Sequence, residues 1–187
     1  MSKLIATAAA ATLFCLPALH KASAQMIVHA TAGTIAPASS PTRLSIKDTE
    51  QNVDIFAISA TPNTVNFDKS LREKTQAPNQ LPKTATTVIV YYYGYSPETA
   101  VAVKDLGPKV DDISGTVTHT DSSHHTVTVH TTDGKDTLCY VSPETTIDTP
   151  NGVQNGARLG VHKGDKLSIV CTPDAGKEDA QFIEIQL

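Results

Sequence analysis

TTVIVYYYGYSPETAVAVKDLG, residues 86–107, contains two runs that favour β structure. Residues 87–93 and 99–104 are rich in Val, Ile and Tyr, which are residues that strands prefer. Between them, residues 94–98 (GYSPE) supply the Gly and Pro of a turn, so the stretch is predicted to form a β-hairpin. A Gly-Pro pair follows and interrupts the pattern, and a second series of short strands then begins.

The same order of predicted strands occurs twice. Residues 25–107 (the first copy) and residues 110–187 (the second copy) each give three short strands, a longer connection and two more strands. Gly33-Thr34-Ile35 corresponds to Gly115-Thr116-Val117. This order is that of OB-like barrels, whose interiors Val, Ile and Leu fill. We therefore predict an all-β protein of two tandem five-stranded OB-like small barrels.

The connection inside each copy is where the two copies differ most. In the first copy, residues 68–74 (DKSLREK) are predicted to form about two helical turns, with Asp68 as the N-cap. In the second copy, residues 151–165 contain four glycines and end in a tight turn. Neither connection has the length or the periodicity of a long helix.

Residues 1–24 have the three regions of a secretory signal peptide. A short positive end precedes an apolar run over residues 4–19, and Ala22-Ser23-Ala24 supplies the small residues that a signal peptidase needs. The apolar run is shorter than the roughly 20 residues of a spanning helix, so no membrane span is predicted. We expect an exported protein, periplasmic or extracellular, that starts at Gln25.

The charge and the motifs argue against several classes of function. The formal net charge is −4, and removal of two lysines with the signal peptide lowers it to about −6. Without a cluster of Lys and Arg, binding to nucleic acid is not expected. The sequence also has no Gly-x-Ser-x-Gly elbow, zinc-hydrolase motif or phosphate-binding glycine loop. We predict a protein that is not an enzyme and has no cofactor.

Two cysteines remain after the signal peptide, Cys139 and Cys171. A pair of cysteines in an exported protein favours a disulfide, which we predict here. Strand alternation does not decide between a disulfide and two buried thiols. Cys171 is in phase with the apolar residues Leu167 and Ile169, whereas Cys139 alternates against its apolar neighbours.

Four histidines fall within twelve residues, His119, His124, His125 and His130. If this segment is a hairpin, alternation places His119 and His125 on one face near the end of the barrel, where neighbouring strands could share a metal ion. Asp121 could add a carboxylate, but zinc usually takes about four ligands. We assign no metal ligand. A polar hairpin tip is the other interpretation, and metal handling by His119 and His125 is an alternative function.

The tyrosines of the hairpin also alternate. Tyr91, Tyr93 and Tyr95 share one face, and Tyr92 lies on the other. An exposed aromatic row can bind ligands, as strand faces of OB-like barrels do. Alternatively, one face fills the barrel and the other packs against the second copy.

Four short motifs mark the second copy: Gly-Thr-Val at 115–117, Asp-Gly-Lys at 133–135, Thr-x-Ile at 145–147 and Gly-Asp-Lys at 164–166. With these motifs it resembles a small β-barrel domain of unknown function that is common in exported bacterial proteins. The first copy matches only in outline, because it lacks both turns. The resemblance implies an OB-like barrel and an exported location, and it implies no catalytic residue.

The leading hypothesis is a non-enzymatic exported protein of two OB-like barrels that acts as a binding or envelope-associated module. Its partner is an unknown protein or small ligand, and the barrels are expected to pack through the tyrosine face and leave a groove. Two alternatives stay open: a periplasmic metal-handling protein that uses His119 and His125, and a hydrolase whose site lies between the copies.

Overall fold

The computed structural model describes residues 26–59, 65–80, 86–174 and 176–186, so the predicted signal peptide lies outside the described residues. These ranges form one short α-helix, α1 (Lys69–Arg72), and eleven strands. The strands are β1 (His29–Ile35), β2 (Arg43–Asp48), β3 (Val53–Ile58), β4 (Thr87–Tyr93), β5 (Glu98–Gly107), β6 (Asp111–Asp121), β7 (Thr126–Thr131), β8 (Asp136–Thr149), β9 (Gly152–Asn155), β10 (Lys166–Asp174) and β11 (Lys177–Gln186).

The first five strands form a closed barrel in the order β1-β2-β3-β5-β4. Its neighbours are antiparallel except β3 and β5, which pair in parallel where Phe56 lies opposite Glu98. β4 and β5 are the hairpin predicted from residues 86–107, and β4 has the predicted bounds. This first barrel is the five-stranded closed ring expected of an OB-like plan.

The remaining six strands form a second sheet in the order β11-β10-β6-β7-β8-β9. An additional parallel pairing of β11 with β8 joins five of them into a ring with the strand order of the first barrel. We call this ring the second barrel. β8 is one 14-residue strand that includes two strands predicted separately, and β9 was not predicted. The all-β prediction is confirmed.

Gly33 and Gly115 show that the sequence repeat is also a structural one. A Cβ atom at either position would come within 3.0 Å of a carbonyl oxygen on the neighbouring strand, that of Lys47 or that of His130. No Cβ tolerates such an approach without a shift of the backbone, so glycine is required at the corresponding place in both barrels.

Each barrel has its own interior of buried aliphatic residues. The first interior includes Leu44, Ile46, Phe56, Val88 and Val90. The second includes Val127, Val129, Ile147, Leu167 and Ile169. Alternation along β4 decides which side chains enter, because successive residues of a strand point to opposite faces.

A third apolar cluster joins the outer faces of the two barrels. Ile89 and Tyr91 of β4 pack with Val170 and Phe182 of the second barrel. The Tyr91 Oη and the Thr146 Oγ1 lie 2.6 Å apart in this buried cluster. The prediction that one tyrosine face packs against the second copy is confirmed, whereas Tyr92 packs against the first interior.

Polar contacts flank this shared core. The Lys104 Nζ donates to the Glu144 carbonyl oxygen at 3.2 Å and to the Gln181 Oε1 at 3.0 Å. The side chain of Asp68 caps α1 as predicted and accepts from Asn155 Nδ2 at 3.0 Å, although the helix spans only four residues. Within the described ranges, no helix is long and apolar enough to cross a membrane.

Candidate functional site

A groove of about 470 Å³ runs between the two barrels. Its walls come from the first barrel, through β1, β3 and the β2–β3 turn, and from the second barrel, through β6, β10 and β11. Six carboxylates line it: Asp48, Glu50, Asp54, Glu98, Asp112 and Glu184. We call it the acidic groove. None of the described residues that line it is a Lys, Arg or His.

The groove carboxylates lack cationic partners in the part of the chain that the structure describes. The ion pairs found there lie elsewhere, such as Lys74 with Glu144 at 3.0 Å. Asp48 accepts from the backbone N and from the side chain of Asn52, which fixes the β2–β3 turn at the edge of the groove. The groove therefore carries a concentrated negative charge without an ion pair among the described residues.

The pKa values of four of these carboxyl groups are raised, because burial and neighbouring negative charges disfavour ionisation. Burial, and then the charge of Asp48, raises the pKa of Asp54. Burial raises the pKa of Glu98 first and the charge of Asp54 second, while His29 opposes both. The pKa of Glu184 is raised by burial and by several neighbouring carboxylates, and that of Asp112 by burial and by Asp111. A bound cation would relieve this repulsion.

Tyr92 lies among the carboxylates of the acidic groove. Its ring packs against Phe56, with centroids 5.1 Å apart. Burial raises the pKa of its hydroxyl, and the charges of Glu98, Asp148 and Glu184 raise it further. The phenol therefore stays protonated and can donate a hydrogen bond within a negative field.

An apolar cleft of about 590 Å³ adjoins the acidic groove. It is formed by Met26, Ile27, Tyr93, Tyr95 and Pro150, and Tyr92 and Glu98 line both spaces. The side chain of Tyr95 is 96% exposed. Of the tyrosine row predicted as a possible ligand surface, only this end is open, since Tyr91 is buried between the barrels.

The histidine hairpin differs from its prediction. A bulge between Val117 and His119 shifts the register, so Val117 is buried while His119 is exposed. His125 has a left-handed backbone (φ 52°) in the turn rather than in β7. The prediction that His119 and His125 share the face of the neighbouring valines is therefore wrong, because strand alternation fails at a bulge and in a turn.

The side chain of Asp121 stabilises the turn of this hairpin through hydrogen bonds. Its carboxylate accepts from the backbone and the hydroxyl of Ser123, and its Oδ2 lies 2.7 Å from the His124 Nδ1. These hydrogen bonds, that of the Ser123 hydroxyl first, hold the pKa of Asp121 well below its usual range. Among the described residues, no group of three or more His, Cys, Asp or Glu side chains could hold a metal ion.

The two cysteines meet inside the second barrel. Cys139 and Cys171 are fully buried, and their sulfurs lie 3.9 Å apart as thiols. A bulge at Cys171 adjusts the register of β10 against β11. Hydrogen bonding to Cys139, together with burial, raises the pKa of Cys171. The disulfide stays a prediction, and the structure brings its two partners face to face.

Catalysis by a serine nucleophile needs a base within hydrogen-bond reach of the hydroxyl. Within the described part of the groove, Ser114 and Ser168 have no hydrogen bond to a histidine or a carboxylate. The groove is equipped to hold positive charge and to exchange protons through carboxylates of raised pKa.

Comparisons with known proteins found few similarities. No family model matches the chain, and no curated protein matches it. Among solved structures, a crystal structure of Ag(I)CusF is 16% identical over 42% of this chain and 100% of its own, with a TM-score of 0.33. A Cu(II) form of a CusF variant and apo-CusF, both from Escherichia coli, also have TM-scores of 0.33. The CusF variant is 16% identical over 43% of this chain and 95% of its own. Apo-CusF is 15% identical over 42% of this chain and 89% of its own. Likeness at this level supports no conclusion about function.

No pattern in the sequence predicts the acidic groove directly. Its carboxylates come from positions as far apart as Asp48 and Glu184, and no local motif contains more than a few of them. The formal net charge of −4 was the one indication of acidic surface, and it does not locate it.

Proposed function

We propose that this chain is an exported, non-enzymatic binding protein that holds positively charged ligands in the acidic groove between its two barrels. The observation that carries this proposal is a groove with six carboxylates and no basic residue among its described lining residues. Export is supported by the signal-peptide pattern of residues 1–24.

The electrostatics favour a cation over other ligands. A cleft that carries charge of one sign between low-dielectric walls concentrates its field and attracts the opposite charge. Burial raises the pKa of Asp54 and Glu184, so these carboxylates pay for being ionised in the free protein. A cationic ligand lowers that cost, while an anion would increase it.

The lining of the groove favours an organic cation with several charges over a metal ion. Calcium and magnesium need several oxygen ligands at about 2.0–2.6 Å from one point. The described residues contain no group of three suitable side chains that converge in this way. Six carboxylates that line one groove instead match several positive charges on one chain-like ligand.

Calorimetry with a blocked pentapeptide, Lys-Lys-Ala-Lys-Lys, tests the proposal. Binding should be measurable at low ionic strength and should weaken as salt screens the groove. The double variant Asp54→Asn/Glu184→Gln should lose most of it. The peptide Glu-Glu-Ala-Glu-Glu should not bind.

A matched variant controls for net charge. Glu73→Gln/Asp136→Asn removes the same two charges from exposed side chains outside the groove. It should bind the lysine peptide as the unchanged protein does. Equal losses in both variants would show that the peptide responds only to overall charge, and the proposal would then fail.

Metal handling by His119 and His125 stays a separate hypothesis. It predicts that copper, zinc or nickel raises the unfolding temperature, because binding to the folded state stabilises it. The double variant His119→Ala/His125→Ala should abolish the rise. An unchanged unfolding temperature with all three metals would reject this hypothesis without affecting the acidic groove.

A further inference from the structure

We infer that the natural ligand is a short basic peptide segment with one aromatic or large aliphatic side chain. In this arrangement the apolar cleft holds the apolar side chain, and the acidic groove holds the lysines or arginines. The inference rests on the proposed function and adds the class of ligand to it.

The apolar cleft is exposed in a way that calls for a partner. Tyr95 is 96% exposed, Met26 49% and Ile27 54%. Pro150, from the β8–β9 turn, completes the cleft from the second barrel. Large apolar side chains that cluster on a surface beside polar residues are typical of an interaction site.

The cleft and the groove form one continuous surface. Tyr92 and Glu98 line both, and His29 stands beside Tyr92 with ring centroids 6.2 Å apart. The two spaces, of about 470 Å³ and 590 Å³, each have the size of a ligand pocket. A ligand that fills both must carry its apolar group close to its positive charges.

Charge complementarity selects the type of chain. Glu98 stands at the junction, and its pKa is raised by burial and by Asp54. A cation placed there relieves that repulsion, so a lysine or arginine beside the anchoring side chain is favoured. A nucleic acid or an anionic lipid surface would instead meet six carboxylates. A small polyamine satisfies the groove but leaves the cleft empty.

The test compares two peptides of equal charge, Lys-Lys-Trp-Lys-Lys and Lys-Lys-Ala-Lys-Lys, by calorimetry on the whole protein. We expect the tryptophan peptide to bind about tenfold more tightly, because one aromatic contact contributes enough free energy for a change of that size. The chain contains no tryptophan, so fluorescence of the peptide reports its burial without interference.

Tyr95→Ala should abolish the preference for tryptophan and leave binding of the alanine peptide unchanged. Because Tyr95 is almost fully exposed, this variant is expected to fold, and Ile27→Ser provides a second test of the same cleft. Leu138→Ala, which removes an exposed apolar side chain of β8 outside the cleft, is the matched control and should keep the preference.

The outcomes separate the two proposals. Equal binding of both peptides, lost together in Asp54→Asn/Glu184→Gln, keeps the acidic groove as a cation site and overturns the peptide inference. Spermine that binds as tightly as the tryptophan peptide also overturns it. Binding of neither peptide overturns the proposed function itself.

Discussion

Replacing Tyr91 by phenylalanine should weaken the junction between the barrels by a defined amount. The substitution removes the hydroxyl that lies 2.6 Å from the Thr146 Oγ1 and keeps the ring that stacks on Phe67 at a centroid distance of 4.8 Å. Packing of the aromatic ring is therefore preserved. The expected effect comes from one hydrogen bond.

The magnitude follows from burial. Tyr91 and Thr146 are both fully buried, so water cannot replace the lost hydroxyl. A buried polar group left without a partner costs about 1–3 kcal/mol. We expect Tyr91→Phe to lower the free energy of unfolding by that amount. For a chain of this size, each 1 kcal/mol lowers the unfolding temperature by about 2–4 °C.

Urea unfolding followed by far-UV circular dichroism measures the change, and a double-mutant cycle with Thr146→Val isolates the pair. The double variant should lose less stability than the sum of the single variants, because it leaves neither hydroxyl unpaired. A loss below about 0.5 kcal/mol for Tyr91→Phe, with additive single effects, would refute the buried contact between the barrels.

Three further predictions concern the strand repeat, the groove and the cysteines. Gly115→Ala should destabilise the protein by more than about 1 kcal/mol in urea unfolding, because the new Cβ meets the His130 carbonyl, whereas Gly160→Ala, whose Cβ meets only the flexible side chain of Gln154 at 3.3 Å, should cost less. As the pH falls from 7 towards about 4, the ordinary pKa of a carboxyl group, the protein should become more stable and bind Lys-Lys-Ala-Lys-Lys less tightly. Each of these carboxyl groups has a higher pKa in the folded protein than in the unfolded chain. The stabilisation that follows is fully present below the pKa of the unfolded chain, and it is lost as the pH rises through the pKa of the folded protein. Oxidation of Cys139 and Cys171, 32 residues apart, should block thiol labelling after unfolding and stabilise by roughly 3–4 kcal/mol over the Cys139→Ser variant.

Each of these has a result that would contradict it. Equal losses for Gly115→Ala and Gly160→Ala would remove the close strand approach as the cause. Stability that falls steadily from pH 7 towards about pH 4 would show that the groove does not raise the pKa values of its carboxylates. Two labelled thiols in protein prepared under oxidising conditions would reject the disulfide.

Alternation and turn chemistry were enough to predict the strands that form the barrels. Val88 and Val90 enter the first interior while Ile89 and Tyr91 face the second barrel, as a period of two requires. The Asp68 N-cap was also predictable, since its carboxylate accepts from the backbone of Ser70 within the same turn. Local patterns suffice where the physical cause is local.

The rest depended on contacts that no local pattern specifies. A bulge beside His119 turns outward a side chain that alternation places on the inward face with Val117, and one extra residue in a strand leaves no sequence mark. The acidic groove depends on how the barrels pack, which brings Asp54 and Glu184 to the same space from separate copies. Local sequence patterns do not predict how two barrels pack against each other, so a site between them cannot be located from the sequence.

Chemical-shift mapping of the ¹⁵N-labelled protein with Lys-Lys-Ala-Lys-Lys tests most directly whether the barrels bind a cationic ligand between them. The amides of Thr31, Asp54 and Glu98 in the first barrel, and of Ser168 and Glu184 in the second, should shift together and saturate with one dissociation constant. Shifts confined to one barrel, or spread over acidic residues outside the groove such as Asp136, would contradict a binding site formed by both.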